Sequence, residues 1–347
     1  FAKVRGSWAQ VGNDTDPYQT VRAANVSGGG TGGFLQLSTT IPNANLRPEQ
    51  TEAVEFGADL RFLNNRLGFD FTWYKSNSTD QLFQQSVPVG SGASNVFING
   101  ADIQNDGIEF TISATPVQTG DFSWDIFFNY AANKSEVVEL AGGLDALNIG
   151  GASFLRQFRL IVGEEWGDVY SRGFARDDQG RVIVEADGTP RTTPGLDVQV
   201  ANYNPDWLGG IGNTLTYKNL RLSFLIDIRQ GGSIVSNTNA ILFADGLTTE
   251  TLEGRDGSLV FGDNFFAGET AVQDDGTPNT VATTSEAMWS KLGGRNAPVG
   301  EAFTLDASNT RLRELVIGYS IPSSSLSNTP FTHIDISLVG RNLFFFS

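Results

Sequence analysis

The residue types that most often carry catalysis or bind transition metals are scarce in this sequence. The 347 residues include one histidine and no cysteine, which excludes thiolate zinc sites and cysteine nucleophiles and disfavours histidine metal clusters. A Ser/His/Asp triad would depend on His333 alone, and His333 lies at the start of an alternating segment typical of a strand. We therefore predict that the protein is not an enzyme, with no catalytic residue and no cofactor.

Two acidic segments have the oxygen-rich composition of calcium-binding loops. Asp177 begins the sequence DDQGR, and Asp274 begins the sequence DDGTP. Neither segment has the distal bidentate glutamate at the spacing that a full calcium loop requires. We interpret both segments as turns and predict no metal site.

Aromatic residues in long polar segments are the best candidates for ligand contact. Their rings can stack on sugars or pack against apolar side chains. The candidate ligand-binding residues are Trp166, Tyr170, Phe174, Tyr203, Phe265, Phe266 and Trp289. The alternative is that these rings only pack the loops against themselves.

Strands must position these residues, because two-residue periodicity recurs along the chain and helical periodicity is scarce. In LRLSFLIDIR, from 220 to 229, Phe224 and Ile226 lie on one face of the predicted strand. Arg221, Asp227 and Arg229 lie on the other face. Similar alternation predicts nine strands, near 1–11, 50–63, 66–78, 103–115, 121–133, 206–217, 219–231, 310–321 and 332–343.

The predicted strands present charged residues on one face and large apolar residues on the other. We predict that the polar faces line a water-filled lumen, through Arg61, Asp70, Glu109, Asp125, Arg221, Asp227, Arg229 and Arg341. Phe71, Trp73, Phe224 and Ile226 should then point outward, toward lipid. A soluble β-sandwich or β-helix, with the apolar faces in its core, is the alternative.

The predicted connections alternate between long and short. Short turns are expected at Asn64 and Asn65, around Thr119, at Lys218 and Asn219, and after Pro322. The longest loops, 140–205 and 233–305, should lie together at the opposite end and contact each other or a partner. Short periplasmic turns and long extracellular loops are typical of outer-membrane β-barrels.

Several segments, in order along the chain, resemble the barrel of SusC/RagA-type TonB-dependent outer-membrane transporters. They are KVRGSWAQVGNDTDPY (3–18), NLRPEQTEAVEFGADLRFLNNRLGFDFTWYKSNSTDQL (45–82), NGADIQNDGIEFTI (99–112), NPDWLGGIGNTLTYKNLRLSFLIDIRQGG (204–232), LRELVIGYSIP (312–322) and VGRNLF (339–344). The resemblance implies an all-β fold in which residues 1–347 form part of a large antiparallel transmembrane β-barrel. In the full chain the 22-stranded type is expected. Since nine is an odd number of strands, we expect this sequence to be part of a longer chain. The resemblance implies that the plug domain and the remaining strands lie outside this sequence.

The same resemblance implies a function and partners. It implies active import of oligosaccharide or peptide ligands across the outer membrane of a Gram-negative, Bacteroidetes-like bacterium. Energy would come from the TonB complex through the plug, and a SusD-like surface lipoprotein would act as the lid. A structural outer-membrane barrel that does not transport is the alternative.

The charge of the chain bears on what it contacts. Lys and Arg total 23 against 39 for Asp and Glu, so the formal net charge is −16, and nucleic acid is excluded as a partner. Outer-membrane lipid and lipopolysaccharide are expected neighbours of the barrel. Because lipopolysaccharide is anionic, we predict that the acidic loop 233–305 folds over the barrel mouth and helps to dock the lid or frame the ligand chamber. The alternative is a solvated loop whose charge only keeps it soluble.

Overall fold

The computed structural model describes residues 1–17, 19–29, 31–149, 153–263 and 266–346, with the side chain of residue 89 excepted. The strands are β1 (Ala2–Asn13), β2 (Ala24–Ser27), β3 (Phe34–Leu37), β4 (Thr40–Ile41), β5 (Glu49–Phe62), β6 (Leu67–Ser86), β7 (Asn95–Gln118), β8 (Phe122–Leu140), β9 (Ala146–Ile149), β10 (Arg156–Ile161), β11 (Asp168–Ser171), β12 (Val182–Ile183), β13 (Val198–Asn202), β14 (Trp207–Tyr217), β15 (Leu220–Gln230), β16 (Ser233–Val235), β17 (Leu259–Val260), β18 (Ala271–Val272), β19 (Ala282–Thr283), β20 (Thr304–Asp306), β21 (Asn309–Ser320) and β22 (Asp335–Phe346). The α-helices are α1 (Asn237–Ala244), α2 (Ser285–Leu292) and α3 (Ser323–Leu326).

One large antiparallel sheet organises the molecule. Its strands follow the order β1-β5-β6-β7-β8-β14-β15-β21-β22, so each long strand pairs with the next long strand along the chain. Every segment predicted from alternation corresponds to a strand of this sheet. The strand-rich architecture confirms the predicted all-β class, and β1 and β22 form the two ends of the sheet.

Three strands are longer than alternation predicted. Strands β6, β7 and β8 continue past the predicted segments 66–78, 103–115 and 121–133. In these extensions Ala101 and Val137 are buried in a cluster with Leu147 and Leu160 of later segments. The extended parts of these strands therefore pack against later segments of the chain. Alternation did not predict them, because their packing partners are distant in sequence.

The short turns lie at one end of the sheet and the long connections at the other. Lys218 joins β14 to β15 with a left-handed φ of 54°, which a two-residue hairpin turn requires. Asn64 and Asn65 adopt φ values of 56° and 67° between β5 and β6, a conformation that asparagine tolerates well. The connection after Pro322 is longer than predicted, because it contains α3.

The two longest connections form a layer of their own. The first long loop runs from 141 to 206 and carries the four-stranded sheet β13-β11-β10-β9. The second long loop runs from 231 to 308 and carries α1 and α2. Apolar residues of both loops, including Phe174 of the first and Phe261 and Trp289 of the second, are buried in one core. We call this unit the loop layer.

In the part of the chain that the structure describes, no helix combines the length and the apolar character needed to cross a membrane.

Candidate functional site

The register of the large sheet brings the charged strand residues together on one face. Residues directly opposite each other on antiparallel strands point to the same side. Asp70 is paired with Asp59 and Thr111, and Asp227 with Gly210 and Arg311. Followed strand by strand, the register places all eight predicted lumen residues on this side: Arg61, Asp70, Glu109, Asp125, Arg221, Asp227, Arg229 and Arg341. We call this side the polar face.

Ion pairs cover the polar face, and all but Arg61–Asp59, which lies within β5, connect two strands. The shortest N–O distances are 2.8 Å for Arg5–Asp70, 2.8 Å for Arg61–Asp59, 2.7 Å for Arg311–Asp227 and 3.0 Å for Arg341–Glu314. The side chains of Arg5 and Asp70 remain 40% and 42% exposed. Exposed pairs of this kind add little stability, so their main effect is to make the face hydrophilic.

The opposite face is apolar and rich in aromatic rings. Phe71 is paired with Phe110 and Ile226 with Ile211, on the side away from Asp70. The ring of Phe110 lies 5.1 Å from that of Tyr130, which in turn lies 5.6 Å from that of Trp207. Phe71, Trp73, Phe224 and Ile226 therefore lie on the side opposite Asp70 and Asp227, as alternation predicted.

The loop layer attaches to the polar side of the sheet. Ile103 and Val137 point to the same side as Glu109, and both are buried in a cluster with Leu147 and Leu160 of the first long loop. Arg229, at the end of β15, also reaches the loop layer and donates a hydrogen bond to the Tyr203 carbonyl over 2.6 Å. The loops thus cover one end of the polar face.

Direct contacts hold the two long loops together. Strand β12 of the first pairs in parallel with β18 of the second, and the Gly300 amide donates to the Ser171 hydroxyl over 2.9 Å. Arg176 pairs with both oxygens of Glu269, at 2.7 and 3.0 Å, and with Glu301 at 2.6 Å. The prediction that these loops lie at one end and contact each other is confirmed.

Some acidic residues of the second loop form ion pairs with arginines of the first loop. The hydrogen bonds that Arg176 donates to Glu269 and Glu301 raise the pKa of its guanidinium above its ordinary value. Arg191 bridges Glu185 and Asp274, and this guanidinium lowers the pKa of the Glu185 carboxyl. Three carboxylates of the second loop, Glu269, Glu301 and Asp274, are thereby paired with arginines of the first loop.

The two calcium-like segments form turns. The Asp177 carboxylate accepts hydrogen bonds from the backbone amides of Gln179 and Arg181. The Asp275 carboxylate accepts from the amide and hydroxyl of Thr277 at 2.9 and 2.6 Å. These oxygens stabilise the local backbone.

The structure separates the candidate ligand-binding aromatics into two groups. Tyr170, Phe174 and Trp289 are only 5%, 5% and 4% exposed, and Phe266 lies 5.6 Å from Phe174 in the same core. These rings pack the loops, so a ligand role for them would require the loops to open. Phe265 lies outside the described residues.

Trp166 and Tyr203 come together at a pocket on the first long loop. The pocket has a volume of about 260 Å³, and its apolar walls include Ile149, Phe158 and Leu160. The Trp166 ring lies 6.1 Å from Phe83, and the Tyr203 ring meets Phe158 edge-on at 6.0 Å. Burial raises the pKa of Tyr203, and a hydrogen bond with the Trp166 side chain opposes this shift.

Asp168 is a buried acid that sequence reasoning missed. It is 3% exposed, and its Oδ1 accepts hydrogen bonds from Gln199 at 2.7 Å and Asn202 at 2.8 Å. Its Oδ2 is buried without a hydrogen-bond partner, and burial raises the pKa of its carboxyl. No local pattern marks this residue, because the pairing of β11 with β13 creates its surroundings.

Comparison with known proteins identifies one family. The family model for the TonB dependent receptor-like beta-barrel matches residues 2–249. TonB-dependent receptor P3 of Formosa agariphila is 26% identical over 99% of this chain and 35% of its own length. TonB-dependent receptor SusC of Bacteroides thetaiotaomicron is 25% identical over 83% of this chain and 28% of its own length. These matches confirm the resemblance drawn from the sequence motifs.

A solved structure shares the fold. The structure of the RagAB peptide transporter superposes with a TM-score of 0.73 at 20% identity, covering 99% of this chain and 37% of that one. The present chain spans about a third of the length of the curated relatives P3 and P26, at 35% of each.

Proposed function

The chain belongs to the TonB dependent receptor-like β-barrel family, and from this premise we propose that it is part of an outer-membrane transporter. The transporter would import oligosaccharide or peptide ligands with energy supplied through TonB. Residues 1–347 would form one portion of the barrel, and the plug and remaining strands would belong to the rest of the protein. The family is one of receptors and transporters.

One observation supports this proposal above the others. A single sheet has a face that carries the charged strand residues and an opposite aromatic, apolar face, and a loop layer covers one end of the polar face. In a membrane barrel the apolar face contacts lipid, the polar face lines the lumen, and long loops guard the extracellular mouth. The eight charged residues of the polar face would then line the ligand path.

The proposed partners follow from the relatives and from the charge of the loops. SusC is a TonB-dependent receptor by name, and the RagAB structures are described as a peptide transporter or importer. We propose a SusD-like lipoprotein lid above the loop layer, the TonB complex on the periplasmic side, and lipid and lipopolysaccharide around the barrel. The second long loop would take part in docking the lid. Its apolar residues Leu247 and Leu252 are 68% and 61% exposed, and exposed apolar surface favours contact with a partner.

Transport is tested by deleting the gene from the native bacterium and restoring it on a plasmid. Uptake of fluorescently labelled oligosaccharide and peptide pools is measured with TonB present and with TonB depleted. We expect uptake of one pool to need both this protein and TonB. A barrel that assembles in the outer membrane, but whose loss changes uptake of neither pool, would instead support the structural role.

A further inference from the structure

The pocket between Trp166 and Tyr203 has the chemistry of a site for one apolar group. Its volume of about 260 Å³ is below the roughly 300–1,000 Å³ of pockets that enclose a whole small ligand. The β9–β10 register pairs Ile149 with Phe158 and Leu147 with Leu160, so Ile149, Phe158 and Leu160 share one face of the small sheet. The Trp166 and Tyr203 rings complete the walls.

The charged residues at the pocket direct their side chains elsewhere. Arg159 alternates with Phe158 and Leu160 along β10, and its guanidinium binds Asp197 at 3.2 Å and lies 5.3 Å from the Tyr170 ring. Asp168 alternates with Val169, which is paired with Phe158. Because neighbouring residues of a strand point to opposite faces, the side chains of Arg159 and Asp168 lie on the face opposite Phe158.

The remaining polar groups are too few for a sugar. Apart from Arg159 and Asp168, whose side chains have partners outside the pocket, the lining side chains that carry hydrogen-bonding atoms are Trp166 and Tyr203, and these two interact with each other. A sugar ring would bury hydroxyl groups without partners, which is unfavourable. An apolar side chain would instead gain free energy from removal of its surface from water.

Hydrogen bonds anchor the pocket residues, and the pocket lies on the polar side of the sheet, which the proposed function assigns to ligand entry. The Tyr203 amide donates to the Gly167 carbonyl over 3.2 Å, and its carbonyl accepts from Arg229. Ser135 donates to the Trp166 carbonyl over 3.2 Å. Ile149 and Trp166 also pack against the cluster that contains Ile103 and Val137, on the polar side of the sheet.

We infer that this pocket binds an apolar side chain of a peptide, and that peptides rather than oligosaccharides are the cargo. The inference rests on the proposed import function and specifies its substrate class. Affinity should depend on one side chain of the peptide, since the pocket accommodates one. Tyr203 and Trp166 are the residues that set this preference.

The test uses the full-length transporter, purified with any lipoprotein that accompanies it. The probes are capped pentapeptides Ala-Ala-Xaa-Ala-Ala, with Ser, Leu or Phe as the central residue, and maltotriose. Binding is measured by calorimetry for the wild type, Tyr203→Ala and Tyr203→Phe. Phe154→Ala is the matched control, because Phe154 belongs to the same loop, is 37% exposed and does not line the pocket.

We expect the Leu or Phe peptide to bind about tenfold more tightly than the Ser peptide. Tyr203→Ala should abolish this preference, and Tyr203→Phe and Phe154→Ala should keep it. If Tyr203→Ala does not fold, Ile149→Phe, which fills the pocket, should abolish the preference in its place. Equal binding of all peptides, a preference that survives these changes, or binding of maltotriose alone would overturn the inference.

Uptake is scored separately on the same peptides in cells with and without TonB. Selective binding without TonB-dependent uptake would overturn the transport proposal and leave the pocket assignment standing. TonB-dependent uptake without selectivity for the central side chain would overturn the pocket assignment and leave the transport proposal standing.

Discussion

The buried carboxyl of Asp168 should make the stability of the first long loop depend on pH. Gln199 and Asn202 hold Oδ1, and Oδ2 has no hydrogen-bond partner. Burial raises the pKa of Asp168, so the folded loop favours the protonated acid. Protonated Asp168 therefore stabilises the folded loop. This stabilisation is complete below the unfolded pKa of about 3.9, and it is lost as pH rises through the raised pKa of the folded state.

Asp168→Asn should remove this pH dependence, because the amide keeps the shape of the side chain without a titrating charge. In the wild type we expect the free energy of local opening of residues 156–171 to fall as pH rises from about 4, the ordinary pKa of an aspartate, through the raised pKa of the folded state. In the variant it should change less over the same range. Hydrogen–deuterium exchange, corrected for the intrinsic effect of pH, measures this difference.

Asp197→Asn is the control, because Asp197 is 69% exposed and pairs with Arg159 on the surface. It should leave the pH dependence of residues 156–171 close to that of the wild type. An Asp168→Asn profile that matches the wild type would show that the buried carboxyl does not control opening of this segment.

At the scale of elements, the amphipathic strands determine how the sheet meets its surroundings. Strand β15 carries Phe224 on the apolar face and Ser223 on the polar face, near the middle of its span. If the apolar face contacts lipid, a charge on that face loses hydration that a charge on the polar face keeps. Neighbouring residues of the same strand should therefore respond differently to the same substitution.

Phe224→Arg should destabilise the folded barrel by about 2–4 kcal/mol, the range for arginine at the bilayer midplane. Ser223→Arg is its matched control and should cost clearly less. Unfolding of the full-length protein in lipid vesicles, followed by its heat-dependent mobility on gels, compares the two variants. Equal losses would argue against lipid contact at Phe224.

At the scale of the whole molecule, two distant loops form one layer on one side of one sheet. The second loop is acidic. Its carboxylates Glu269, Glu301 and Asp274 form ion pairs with Arg176 and Arg191 of the first loop. Arg176 makes the closest such link, with two carboxylates around one guanidinium. This network couples the loops in addition to their shared core.

Arg176→Ala should weaken the coupling between the loops by about 1–2 kcal/mol, because it leaves two carboxylates without their cation. Hydrogen exchange of residues 266–272 should rise accordingly. Arg181→Ala is the comparison, since Arg181 pairs mainly with Asp177 of its own loop. If both variants raise exchange of residues 266–272 equally, Arg176 is not the specific link.

The sequence alone was sufficient for the long strands, their two faces and the positions of the short turns. These features depend on neighbours within a few residues: alternation assigns Asp227 and Phe224 to opposite faces, and Lys218 with Asn219 marks a hairpin. The family was also recognisable, because its motifs lie in the strands and turns. The eight charged residues of the polar face follow from the same local rule.

Only the tertiary structure decided which side chains are available and which are paired. Phe174 and Trp289 are buried because both loops close around them, whereas Tyr203 stays 39% exposed beside Trp166. The unpartnered oxygen of Asp168, the extensions of β7 and β8, and the link from Arg176 to Glu301 share one cause. Each arises from a tertiary contact between segments far apart in sequence, and alternation along one strand carries no information about such contacts.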